Sequence, residues 1–255
     1  MERVIVITGA SRGIGRALAL RLAENGEYLM LAARTYSELN QVARKCGRDT
    51  FAFTTDVTRR QDVVRLFDET LRTFGHIDVW INNAGVGIQR HVLDLTDDDI
   101  DQMIDINLKS ALYGMQIVTP YFISQGKGHI INISSGLSRV PWVSERSAYS
   151  AAKAALNNIT ANLRMDLRKI APEVKVSLLL PGAVATEFPG SALHANPDQT
   201  IAQNRQAVEE VVEVIVNLIE SPVAEVYTDP TQRQRMIDYF SDVEAFERKI
   251  NIEEE

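Results

Sequence analysis

Tyr149 and Lys153 stand four residues apart in an Ala-rich run from Ser147 to Lys153. Such a run favours helix, and residues at i and i+4 share one face about one turn, ~5–6 Å, apart. An ammonium that close favours the phenolate and lowers a phenol pKa that starts near ~10. A tyrosine tuned in this way can give or take a proton at a carbonyl or alcohol oxygen near neutral pH. Alone the pair decides little, since the same spacing occurs on many solvated helices.

A second feature lies at the other end of the chain. Val4 to Ile7 is a continuous apolar run, as in a strand buried on both faces. Gly9, Gly13 and Gly15 follow, then a helical pattern with Ile14, Leu18 and Leu22 on one face, closed by Gly26. Strand, glycine turn and helix N-terminus together make an anion cradle, in which unpaired N–H groups and the helix dipole face a pyrophosphate. The spacing is G-x3-G-x-G rather than the standard dinucleotide fingerprint. A tight turn with no ligand is the alternative, and placement after the first strand favours the dinucleotide.

The elements that must position these residues alternate. Strand-like runs fall at 3–8, 28–33, 50–54, 78–82, 129–134, 174–180 and 223–228. Helical patterns fill 13–25, 36–46, 59–74, about 97–125, 147–170 and 207–220. Alternation of this kind predicts a single α/β domain over 1–255, a Rossmann-type doubly wound parallel sheet with helices on both faces. Ligands then bind outside the carboxyl ends of the strands, near the switch in strand order. Every motif singled out sits at such an end or on the helix that starts there.

Five ordered motifs give the chain its resemblance to the short-chain dehydrogenase/reductase family, over about residues 3–228. The run from Thr8 through Gly9, Ser11, Arg12, Gly13, Ile14 and Gly15 resembles the family's cofactor turn. Asn82, Asn83, Ala84 and Gly85 resemble its motif after the fourth strand, and Asp56 and Val57 the pair that contacts adenine. Asn107, Ser135, Tyr149 and Lys153 fall where the family keeps its catalytic tetrad. Pro181, Gly182, Val184 and Thr186 resemble the motif on the nicotinamide side.

The resemblance implies a reaction. Hydride moves between nicotinamide and a carbonyl carbon while Tyr149 gives or takes the proton at oxygen. Lys153 would lower the pKa of Tyr149 and hold the nicotinamide ribose, and Ser135 would donate to the carbonyl oxygen. Asn107 would kink its helix and hold a water linking Lys153 to solvent; an ordinary helix amide is the alternative. Ser134 and Ser135 are adjacent, and the motif alignment assigns Ser135. Asp56 has a second reading too, as a helix-entry turn with Thr58 as N-cap.

Cofactor choice is argued from residues. An acid ending the second strand would hold the adenosine ribose and repel a 2′-phosphate. Here Ala33 is followed by Arg34, whose planar fork suits phosphate, and Arg12 in the glycine turn can reach the same group. NADP(H) is therefore expected, against the alternative of two solvated arginines.

The substrate side is less legible. Val86, Ile88, Leu137, Trp142 and Phe188 are the pocket candidates and are apolar, as pockets usually are. Trp142, in the loop from Val140 to Arg146, reads equally as a pocket wall or a loop anchor. Residues 186–206 form a polar, Pro-interrupted segment whose family counterpart is a mobile lid, with Phe188, Leu193 and His194 best able to touch a ligand. Residues 229–255 depart from the family as a helical extension. Met236, Phe240, Val243, Phe246 and Ile250 mark an apolar stripe there, which packs on its own subunit or joins an oligomer.

Composition excludes other classes. A net charge of −7 argues against a nucleic-acid surface. Apolar stretches are strand-sized, so no membrane span is expected. One cysteine, Cys46, permits no intrachain disulfide, and with no signal-peptide pattern a cytoplasmic setting is the expectation. His91 and His129 form no metal pattern. The expected activity is an NADP(H)-dependent oxidoreductase of small or medium-sized, largely apolar carbonyls or secondary alcohols, acting as a homo-oligomer, a dimer or tetramer. One alternative is a 3-oxoacyl carrier-protein reductase, with Lys127, Arg139 and Arg146 available to an acidic carrier. Another is a non-catalytic NADP(H) sensor, which would have no need of the Ser–Tyr–Lys set.

Overall fold

The computed structural model describes residues 2–195 and 205–253. Seven strands, β1 (Val4–Thr8), β2 (Tyr28–Ala33), β3 (Thr50–Thr54), β4 (Val79–Asn82), β5 (Gly128–Ile133), β6 (Val174–Leu180) and β7 (Glu225–Tyr227), form one sheet in the order β3-β2-β1-β4-β5-β6-β7. Every neighbouring pair is parallel. The order reverses between β1 and β4, which opens a crevice at their carboxyl ends.

Period-two alternation explains why β1 is apolar throughout. Ile5 and Ile7 face a core shared with α1 (Gly13–Glu24), α2 (Tyr36–Cys46) and α7 (Val208–Glu220). Val6 faces the opposite core, built with Trp80, α3 (Arg60–Phe74), α5 (Ser110–Gln125) and α6 (Ser147–Ile170). A strand covered on both faces has no polar side to offer.

The single helix expected near 97–125 is divided. It runs as α4 (Asp97–Ile104), a π-helical turn over Asp105–Lys109, and α5. Thr96 and Asp99 form a reciprocal capping box at the start of α4. One extra residue in the π turn rotates the helix where Asn107 stands, and such turns cluster at functional sites.

The extension forms α8 (Gln232–Ser241) and α9 (Val243–Glu253), and Glu254 and Glu255 lie outside the described residues. The apolar stripe does not seat it on the body, since Phe240 is 71% exposed. Tyr239 contacts Phe240 and Phe246 instead, which folds α9 against α8. Docking rests on close packing: Gln232 is fully buried, and a Cβ on Gly136 would lie 2.7 Å from its amide carbon. Asp229 likewise fits only because Gly182 lacks a Cβ, which would come within 2.9 Å of the Asp229 Cβ. The start of the extension therefore docks on the loop that follows Ser135, and the apolar stripe beyond it stays partly exposed in the single chain.

Candidate active site

The glycine turn is built by close approach. Gly9 has φ +67°, and a Cβ there would sit 2.8 Å from the Ala84 Cα. A Cβ on Gly15 would lie 2.6 Å from the Asn83 amide nitrogen and would also meet the Gly9 carbonyl oxygen. Asn83 braces the turn by donating through Nδ2 to the Thr8 and Gly9 carbonyls, at 2.9 and 3.2 Å. Thr8 Oγ1 accepts from the Asn83 and Ala84 amides. At the start of α1 the N-cap, Arg12, makes no side-chain cap bond, and the first turn carries no acid. Its first N–H groups are left for an external acceptor. These residues fit a dinucleotide pyrophosphate.

Around this cradle, Ser11, Gly13 and Ile14 are half-buried and Arg12 is exposed. Arg34, just past β2, is exposed as well. Val57 is buried, while Asp56 Oδ1 accepts from the Thr58 amide and hydroxyl at 3.0 and 2.7 Å. The N-cap of α3 is Arg59, so Thr58 closes an Asx turn and does not cap the helix. On the far side, Pro181 accepts from the Gly136 amide and Gly182 donates to Thr228. Val184 bridges Gln206, and the Thr186 Cβ packs 3.6 Å from where a Gly13 Cβ would be.

The segment from Asn83 to Val86 joins the cradle to the tetrad. A Cβ on Gly85 would stand 3.0 Å from Asn107 Oδ1 and 3.5 Å from Lys153 Nζ. Asn107, fully buried in the π turn, donates to the Val86 carbonyl at 2.9 Å and accepts from its amide at 3.2 Å. Of the two serines, Ser134 turns into α6 and donates to Asn157 Oδ1 at 2.6 Å. Ser135 lies close enough to Tyr149 to pull its pKa down, and it accepts from the Leu137 amide at 3.2 Å. Lys153 Nζ donates to the Ile133 carbonyl at 2.8 Å, and no carboxylate among the described residues reaches it within ion-pair distance.

Electrostatics correct one expectation. Lys153 Nζ lies 5.9 Å from the Tyr149 ring centroid, yet the phenol pKa is not lowered. Burial pushes it up to about 12, against weaker opposing pulls from the Ser135 hydrogen bond and the Arg146 charge. Burial also pulls Lys153 down to about 8. Desolvation disfavours both charged forms. Tyr149 is thus held as a protonated donor beside a lysine that is still mostly charged at neutral pH.

Tyr149 is walled by Ile88, Met103, Ala148 and Ala152, with Val86, Leu137, Phe188 and Leu193 packed against them. The Phe188 ring lies 5.8 Å from that of Tyr149. Trp142 is not among these side chains: its ring lies beneath the Arg235 guanidinium at 4.7 Å. It anchors the loop to α8, so the reading of Trp142 as a substrate wall is withdrawn. His194 is also turned away from the pocket, onto Asp99 Oδ1 at 2.8 Å. Arg146, expected from the sequence in a loop bordering the substrate and available to an acidic carrier, lies against the pocket, where its Nη1 donates to the Ile88 carbonyl at 2.9 Å. Its position three residues before Tyr149 was the signal that could have placed it.

The short chain dehydrogenase family model matches residues 3–197. An uncharacterized oxidoreductase of Staphylococcus saprophyticus is 40% identical over 188 residues, 73% of this chain and 76% of that protein. One from Staphylococcus aureus is 39% identical over 186 residues, 72% of this chain and 79% of its own. Among solved structures, an alcohol dehydrogenase from Thermococcus sibiricus complexed with 5-hydroxy-NADP superposes with TM-score 0.78 at 28% identity, covering 89% of this chain and 96% of that one. A short chain dehydrogenase/reductase from Burkholderia phymatum in complex with NAD shares the fold, with TM-score 0.86 at 24% identity over 96% of this chain and 95% of that one. With the glycine cradle, the parallel sheet and the matched relatives together, the chain belongs to the short chain dehydrogenase family of oxidoreductases.

Proposed function

We propose that the protein is an NADP(H)-dependent oxidoreductase of small or medium-sized carbonyl compounds, with Tyr149 as the proton donor in reduction. The observation that carries this reading is a buried Tyr149 beside Ser135 and Lys153, joined to the glycine cradle through Asn83–Val86. A bound nicotinamide dinucleotide would supply or take up the hydride. Ser135 holds the carbonyl oxygen beside the phenol, and Tyr149 donates to that oxygen as charge develops. Lys153 adds positive charge near the same oxygen and has further N–H groups for the nicotinamide ribose. Gly9, Ser11, Gly13 and Gly15 seat the pyrophosphate. The catalytic panel is NADPH oxidation with a range of ketones and aldehydes; binding of NADPH with no turnover across it favours the sensor reading instead.

Preference for NADP(H) is supported by Arg34 and Arg12, both exposed and neither with an ion-pair or hydrogen-bond partner among the described residues. Arg34→Ala is expected to weaken NADPH much more than NADH, by about 1.5–3 kcal/mol. Fluorescence titration of both cofactors checks this; equal use of NADH and NADPH by the wild type defeats it. Ala33→Asp is a poor probe, because Ala33 belongs to the buried core.

Residues 186–206 are proposed to cover the substrate. Of these, 196–204, with Pro197, lie outside the described residues. The portion up to residue 195 is already seated: Leu193 donates to Gly87 and accepts from the Gln89 amide, both at 2.9 Å. Hydrogen exchange at Leu193 and Gln89 is therefore expected to be slow before any ligand is added. Fast exchange there would restore a lid that orders only on binding. The carrier-protein alternative gains no support, since Lys127 pairs with Asp78 at 3.3 Å, Arg139 with Glu225 at 2.6 Å, and Arg146 turns inward.

A further inference from the structure

The apolar wall around Tyr149 is interrupted by one cation. Arg146 immediately precedes α6, three residues before Tyr149 and so about one helical turn away. A Cβ on Gly87 would lie 2.8 Å from Arg146 Nη1, 3.1 Å from Phe188 Cε1 and 3.3 Å from Ala192 Cβ. The guanidinium therefore shares a shell with Phe188, whose ring packs on Tyr149. One N–H is spent on the Ile88 carbonyl. No carboxylate among the described residues pairs with it. Its neighbour Glu145 instead accepts from Gln89 at 3.1 Å and lies 3.6 Å from His91 Nε2.

Burial disfavours the charge on Arg146, Tyr149 and Glu145 favour it, and a second cation opposes it. Arg205, where the described chain resumes, lies near enough to disfavour the charge on Arg146, and burial acts in the same direction. Arg205 also has no acidic partner among the described residues, and it borders the cleft beside Gly13 and Thr186. A half-buried guanidinium with unspent donors is stabilised by an incoming anion. A carboxylate matches its fork.

We propose that Arg146 is a specificity-determining residue that binds the carboxylate of the substrate, which makes the physiological substrate a short oxo acid or the corresponding hydroxy acid. This assignment rests on the carbonyl-reductase reading above and departs from the largely apolar substrate expected from the sequence. With the carboxylate on Arg146, the carbonyl lies toward Tyr149 and Ser135 about one helical turn away. In reduction the C=O π bond breaks and a C–H bond forms at the expense of NADPH. The oxygen takes the Tyr149 proton, and the oxo acid leaves as a hydroxy acid.

The test compares 3-oxobutanoate with its methyl ester as substrates for wild type, Arg146→Met and Arg146→Lys, with thermal midpoints measured alongside. Wild type is expected to favour the acid at least tenfold in kcat/KM. Arg146→Met should collapse that ratio at least tenfold, mainly through KM, and Arg146→Lys should restore part of it. A wild type that prefers the ester, or a variant that lowers both substrates by one factor, overturns the substrate assignment and leaves the carbonyl-reductase reading standing. If neither compound nor any other carbonyl is reduced, that reading falls. The anion site is then judged by calorimetry of butanoate binding to the NADPH-saturated protein: binding lost in Arg146→Met upholds it, and no binding to wild type ends it.

Discussion

Tyr149→Phe is expected to lower kcat for carbonyl reduction by at least about 10²-fold, the low end for losing a general acid. The ring is kept, so the contact with Phe188 survives and NADPH titration should be largely retained. Only the hydroxyl, with its transferable proton and its influence from Ser135, is removed. Because the phenol sits near a pKa of about 12, the wild type holds it protonated throughout the neutral range. Reduction should accordingly be the faster direction near pH 7, and oxidation should climb with pH as phenolate becomes accessible. Near-normal turnover in the variant would remove Tyr149 from the mechanism.

Lys153→Met is expected to cost roughly 10²-fold in kcat, comparable to losing a preorganised donor at a developing oxyanion. The same variant should be more stable than wild type at pH 7. Lys153 is held at about 8 against an ordinary 10.5, so its charged form is disfavoured in the folded protein. That penalty is fully present below pH 8 and is relieved as pH rises from about 8 to 10.5, the reverse of a lysine that gains a partner. Removing it returns about 3 kcal/mol, less about 1 kcal/mol for the bond lost to the Ile133 carbonyl. Thermal unfolding at pH 7 and pH 10 checks both signs: a variant less stable at pH 7 contradicts burial as the dominant influence on Lys153. In the wild type, reduction should fall as pH passes about 8 and Lys153 loses its charge.

Inactive yet stabilised is the signature expected of a residue kept for chemistry. A buried ammonium whose one described hydrogen bond is to a backbone carbonyl contributes little to folding. The hydroxyl of Thr8 is the contrasting case. It is buried, accepts from two amides and donates to the Ile81 carbonyl, so its role is to hold the turn in shape.

Much of the architecture was legible in the order of residues, because strand and helix periods are local properties. Val4 to Ile7, the glycines after them and the amphipathic α1 read directly as strand, turn and helix. So did the face shared by Tyr149 and Lys153, since four residues on a helix bring two side chains together whatever surrounds them. The choice between Ser134 and Ser135 followed from motif alignment, and in the fold Ser134 bonds into α6 while Ser135 meets Tyr149. The kink that the resemblance implied at Asn107 takes the form of a π turn, which inserts one residue without changing the apolar pattern much.

What only the tertiary structure decided is burial and the company each charge keeps. Spacing placed an ammonium near a phenol and so implied a lowered pKa; the depth of both groups reversed that sign, because desolvation depends on every element packed around them. Trp142 was open between two roles until α8, distant in sequence, brought Arg235 over its ring. The extension looked apolar in its docking, yet Gln232 is the side chain it buries, since Gly136 leaves space that no local pattern records. The loop ending at Arg146 was expected to border the substrate, but which way its guanidinium turns is decided by the backbone of Gly87 and Ile88, which draws it into the wall beside Tyr149. Sequence determines which groups a helix or strand presents, whereas the dielectric and the partners those groups meet are set by chain segments far away along it.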